Sequence, residues 1–181
     1  MTPPPAPLLL LDVDGPLNPY AAKPHRRPAG YRTHRIKPDS WVARHPQRPA
    51  EYVRPLRVWL NPGHGPELLA LPYELVWAST WMDEANTWLA PLLGLPRLPY
   101  IAWPQLHQED PDGLHWKTRR LTAWAAGRPF AWVDDELGPQ DTEWIAAHHP
   151  GPALTLRIDA RTGLLPADFA TLADWAAAPR A

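Results

Sequence analysis

Leu8-Leu-Leu-Leu-Asp-Val-Asp-Gly15 decides how the rest of this chain is read. A continuous apolar run that ends in acids fits a strand buried on both faces, as at the centre of a parallel sheet. Working outward, apolar strand-like runs alternate with segments of helical period. The pattern predicts a short helix over Glu67 to Leu71, a strand over Tyr73 to Ala78 and a helix over Met82 to Leu93. Next come a strand over Pro99 to Trp103, a helix over His115 to Ala126 and a strand over Phe130 to Val133 that runs into Asp134-Asp135. A helix over Asp141 to His148, a strand over Leu154 to Ile158 and a final helix from Pro166 to Ala178 complete the series. Such alternation implies a parallel sheet with helices on both faces, so the fold class is α/β and Rossmann-like.

The chain has 181 residues, which predicts a single domain over 1–181. Cysteine is absent, which excludes disulfides, thiolate metal sites and cysteine nucleophiles. No apolar stretch reaches the ~20 residues of a membrane helix, and Leu8 to Leu11 is too short for a signal-peptide core. A cytoplasmic protein without a membrane partner is the expectation. Eleven tryptophans argue for a packed core despite 26 prolines. The net charge of −1 hides an asymmetry: residues 23–57 hold ten Lys/Arg against Asp39 and Glu51, a local charge of +8, and the remainder carries −9. That segment falls in a loop and hairpin insertion spanning 18–60, with Tyr31 to Ile36 and Val58 to Leu60 as its strands and His64 in an exposed turn after it.

In parallel sheets, ligands bind beyond the carboxyl ends of the strands. The residues expected there are Asp12 and Asp14, Ser79 and Thr80, and Asp134 and Asp135, with Lys117 preceding the last pair. A carboxylate such as Asp12 can attack phosphorus and form an aspartyl-phosphate, dividing one difficult step into two. Anion attacking anion needs a hard cation, and oxygen ligands without Cys or His point to Mg²⁺. Asp14 would supply its backbone carbonyl to the metal and its carboxyl to proton transfer, Gly15 allowing the turn. Lys117 would hold Asp12 and neutralise phosphoryl oxygens, while Ser79 would donate to one of them.

Asp12-Val-Asp-Gly-Pro-Leu17 resembles the first motif of the haloacid dehalogenase (HAD) superfamily, Asp-x-Asp-Gly-x-Leu after a hydrophobic strand. Leu75 to Ser79 is similar to the second motif, Lys117 to the third, and Trp132-Val-Asp-Asp135 to the fourth, all in family order. Trp77-Ala-Ser-Thr-Trp81, Glu84-Ala-Asn86 and the Trp-Val-Asp-Asp segment further resemble the HAD domains of Swiss-army-knife RNA-repair proteins. The resemblance implies a Mg²⁺-dependent phosphomonoester hydrolase with Asp12 as nucleophile and metal ligand. Asp14 would be the general acid/base and a ligand through its carbonyl. Ser79 or its neighbour Thr80 would bind phosphate beside Lys117, and Asp134 or Asp135 would complete the metal site. Pro16 departs from the Thr or Val that many relatives carry after Gly15, and no large cap fits in this length.

A site without a large cap admits a bulky phosphorylated substrate. Arginines interleaved with Tyr20, Tyr31, Trp41 and Tyr52 suit phosphates and stacked bases, hence a nucleotide or nucleic-acid end. The competing expectation is a solvated hairpin whose arginines pair with the acidic body. A non-catalytic binding protein and a phosphotransferase of the same chemistry are the alternative functions.

Overall fold

The computed structural model describes residues 5–178. Four parallel strands form one sheet in the order β4-β1-β5-β6, with β1 over Leu8–Leu11, β4 over Glu74–Trp77, β5 over Phe130–Asp134 and β6 over Ala153–Arg157. The four leucines of β1 have no exposure because helices cover both faces of the central strand. Leu9 and Leu11 pack with Leu68, Leu89, Leu93, Phe169 and Leu172. Those residues belong to α2 (His64–Ala70), α4 (Ala90–Leu93), the α7 helix (Pro166–Ala177) and the Leu89 junction before α4. Leu8 and Leu10 face the other way, onto Leu121 and Ala125 of α5 (Thr118–Ala125) and Ile145 of α6 (Pro139–His148). Each fully buried leucine contributes about 1.5–3 kcal/mol, so this strand anchors both layers.

The basic stretch folds as a two-stranded antiparallel hairpin, β2 (Arg32–Ile36) with β3 (Leu56–Leu60), joined through the short helix α1 (Asp39–Ala43). Ile36, Val58 and Leu60 join the larger core and fix the hairpin to the body. α1 is tied to α3 (Glu84–Trp88), because Ser40 donates both its backbone N–H and its hydroxyl to the Glu84 carboxylate.

Three expectations are corrected. The strand expected over Pro99 to Trp103 is a single parallel bridge between Tyr100 and Trp77, with Asn86 holding the segment through Leu98. Pro99 has no N–H to extend a ladder. The helix expected over Met82 to Leu93 is divided into α3 and α4 at Leu89, where Pro91 interrupts the hydrogen-bond series. His64 is buried rather than exposed, at the start of α2 between Tyr31 and Phe169. None of the described helices is long and apolar enough to cross a membrane.

Candidate active site

Parallel register brings the predicted residues to one edge. Leu11 pairs with Trp77 on one side and Val133 on the other, so Asp12 emerges between the ends of β4 and β5. Its backbone remains pinned, with the Asp12 N–H donating to Val133 O at 3.0 Å and Leu11 O accepting from Ala78 N–H at 2.8 Å. Asp134, the last residue of β5, thus lies beside Asp12, and Ser79 follows two residues beyond β4.

Lys117 closes this edge. Its Nζ donates to Asp12 Oδ2 at 2.7 Å and to Asp134 Oδ2 at 2.8 Å, with all three side chains almost fully buried. The turn that carries Lys117 into α5 is held by Asp141 of α6, which accepts from the His115 N–H at 2.8 Å and the Thr118 hydroxyl at 2.6 Å. One ammonium shared by two buried carboxylates sets the electrostatics. Burial pushes the Asp12 carboxyl up to about 8, Lys117 opposing and Asp134 adding to the rise. Burial also disfavours the Asp134 charge, yet Lys117, with His115, holds that carboxyl below its usual range. Burial opposes the Lys117 charge as well, and the two carboxylates keep its pKa above the ordinary lysine value.

Asp135 completes the cluster. Asp12, Asp134 and Asp135 present oxygen atoms within 4.8 Å of one another. Three hard oxygen donors without sulfur or imidazole suit Mg²⁺ or another hard cation. Asp134 is inaccessible and has donors on both oxygens: Lys117 and the Trp132 indole on Oδ2, and the Glu136 N–H on Oδ1. Asp135 instead lines the cleft, accepts the Tyr20 hydroxyl on Oδ2 at 3.0 Å, and is pushed up to about 6 by burial. Gly15 makes room for it, since at φ +91° a Cβ there would lie 2.4 Å from Asp135 Cγ. A non-glycine residue at 15 meets both a steric and a backbone obstacle.

The two hydroxyl candidates separate. Ser79 is fully buried, and its hydroxyl helps to lower the Asp12 pKa, whereas Thr80 lines the cleft. Asp14 also lines the cleft, accepting the Asn18 amide on Oδ1 at 2.7 Å and the Trp81 indole on Oδ2 at 2.9 Å. The structure therefore brings Asp12, Lys117, Ser79, Asp134 and Asp135 together and sets Asp14 and Thr80 on the adjoining wall. Asn18 and Asp141 are contacts that sequence reading did not single out, and Tyr20 and Trp81 were quoted there without their roles toward Asp135 and Asp14. Trp81 was detectable as an aromatic immediately after the Ser79-Thr80 strand end; Asp141 carried no such mark.

The cleft has a volume of about 460 Å³. Its far wall comes from the insertion: Trp41 and Arg44 from α1 and its C-terminal cap, and Arg57 from β3. Arg57 lies 4.0 Å over the Trp59 ring and stands directly across the hairpin from Arg35. No Lys or Arg in residues 23–57 forms an ion pair with a described residue; the ion pairs lie elsewhere. The expectation that these arginines pair with the acidic body is not met. Comparison with protein-family models, curated proteins and solved structures finds no match to this chain.

Proposed function

We propose that the chain is a Mg²⁺-dependent phosphomonoester hydrolase of the HAD type, acting through an aspartyl-phosphate on Asp12 and accepting phosphorylated ends of nucleotides or nucleic acids. The observation that carries this reading is the buried Lys117 held between Asp12 and Asp134, beside Asp135, at the C-terminal edge of a parallel sheet. Asp12, Asp135 and the Asp14 carbonyl are the groups that would hold the cation, with Asp134 anchoring Lys117 behind them. When bound, Mg²⁺ supplies positive charge that lets a carboxylate approach a phosphate dianion.

An Asp12 oxygen forms a bond to phosphorus as the bond to the leaving oxygen breaks, and Asp14 gives its proton to that oxygen. Lys117 opposes the burial that raises the Asp12 pKa and would face the charge that develops on the phosphoryl group. In the second half, Asp14 takes a proton from water, the water oxygen bonds to phosphorus, and Asp12 is released. Ser79 would help to hold the Asp12 carboxylate, and Thr80 on the cleft wall would donate to a phosphoryl oxygen. Unpaired Arg44 and Arg57 support a substrate with further phosphates beyond the reacting one.

The test is hydrolysis of an aryl phosphate with Mg²⁺, with EDTA, and by Asp12→Asn, followed by nucleotides and 5′- or 3′-phosphorylated oligonucleotides. Activity abolished by both controls and higher on the nucleotide-bearing esters is the expected result. Activity that survives EDTA or Asp12→Asn would overturn the mechanism.

A further inference from the structure

Asp14 is the only cleft carboxylate whose two oxygens are each held by a neutral side-chain N–H among the described residues, Asn18 Nδ2 on Oδ1 and Trp81 Nε1 on Oδ2. Such a pair fixes the carboxylate plane, and Asp14 and Asn18 are also bridged through their backbones. The Asn18 side chain is buried and fully committed, since its Oδ1 accepts the backbone N–H of Trp59 at 3.0 Å. That N–H decides which way the amide faces: a flipped amide would set its NH₂ against the Trp59 N–H and its oxygen against Asp14. The hairpin therefore presents the Asn18 donor to the carboxylate.

We propose that Trp81 and Asn18 are positioning residues that hold Asp14 in line for proton transfer, the Trp59 N–H fixing the sense of the Asn18 amide. The inference rests on the hydrolase reading given above. Proton transfer by a placed carboxyl contributes roughly 10²–10⁴-fold, and that contribution is largest where the leaving oxygen is most basic. An alkyl phosphate needs the proton from Asp14 as its P–O bond breaks; a 4-nitrophenyl phosphate releases a stable anion and needs it far less.

The experiment compares kcat/KM for these two esters in Trp81→Phe, Asn18→Asp and Asn18→Leu. Trp81→Phe keeps the ring and removes the N–H. Asn18→Asp keeps an acceptor for Trp59 but removes the donor to Asp14, so it separates holding the hairpin from holding the carboxylate. Loss of roughly tenfold or more on the alkyl ester, with a clearly smaller loss on the aryl ester, is expected for Trp81→Phe and Asn18→Asp. Neither substitution should add to the defect of Asp14→Asn. In the metal-free protein, the indole N–H resonance of Trp81 should also move in Asp14→Asn. Equal losses on both esters, additivity with Asp14→Asn, or Asn18→Asp behaving as wild type while Asn18→Leu fails would overturn the positioning role. Wild-type protein that hydrolyses neither ester would overturn the hydrolase reading, and this inference with it.

Discussion

Five cations of the sheet-bearing body, Arg97, Lys117, Arg119, Arg128 and Arg161, sit in ion pairs, and Arg120 and Arg157 donate to backbone carbonyls. None of the ten in residues 23–57 pairs with a described carboxylate, and Arg35 faces Arg57 across the hairpin. The body thus uses charge to hold its own geometry, with Lys117 buried between Asp12 and Asp134 as the extreme case. The insertion sets Arg35 and Arg57 side by side and turns Arg44 and Arg57 to the cleft, while Lys37 and Arg27 donate to Ala50 O and the Thr33 hydroxyl within it. A direct like-charge pair is destabilising on a hairpin, and under the proposed function an anionic substrate would offset that cost.

The comparison breaks first at Lys117. Replacing it by Met leaves two buried carboxylates without their shared cation, and unfolding in urea should show a loss of about 3–5 kcal/mol. A loss near zero would mean that the body does not depend on this ion pair.

His64 lies at the seam, between Tyr31 beside the hairpin and Phe169 of α7, with its Nδ1 unpartnered among the described residues. Burial pushes its pKa down to about 4. The unfolded chain then takes up this proton first, so the contribution to stability is complete above pH ~6.5 and is lost as pH falls through about 4. Relative to wild type, His64→Phe should gain up to about 3 kcal/mol between pH 7 and 4. Parallel stability curves for the two proteins would contradict that.

Arg35→Glu sharpens the contrast from the other side. It turns a repulsive cross-strand pair into an attractive one and should stabilise by about 0.2–1 kcal/mol, while single-strand binding weakens. Arg44→Ala and Arg57→Ala should change stability by less than about 0.5 kcal/mol. Each should nevertheless reduce the slope of log affinity against log salt by about 0.7 for a single strand. Variants that lose stability but leave the salt slope unchanged would assign these arginines to the fold instead.

Much of this was legible because it depends on local pattern. Four leucines followed by Asp12 fit a strand buried on both faces, and Phe130 to Asp135 repeated the form. Residues at strand ends converge once the strands are parallel, which is why Asp12, Ser79 and the Asp134-Asp135 pair were expected together; Lys117 joined them as the residue opening the helix before β5. The illegible parts depend on partners distant in the chain. His64 is covered by Tyr31 and Phe169, which no local period could reveal, and it was read as exposed. The eleven tryptophans were read together as a sign of a packed core, but Trp124 lies on the outward side of α5 and is 38% exposed. The Asp14 clamp joins residues 14, 18 and 81, and no local pattern ties Asn18 or the Trp81 indole to the Asp14 carboxylate. Ser79 and Thr80 differed only by which one the turn after β4 directs into the cleft, a matter of one residue's rotation.

The proposed reaction has Asp12, gripped by Lys117, receive the phosphoryl group. Its most direct test is to quench the Mg²⁺-loaded protein in acid during turnover of a phosphomonoester, trap acyl phosphates with borohydride and locate the modified residue by mass spectrometry. Modification at Asp12 alone, absent in Asp12→Asn, is the predicted result. Turnover without any trapped carboxylate, or trapping at another residue, would contradict it.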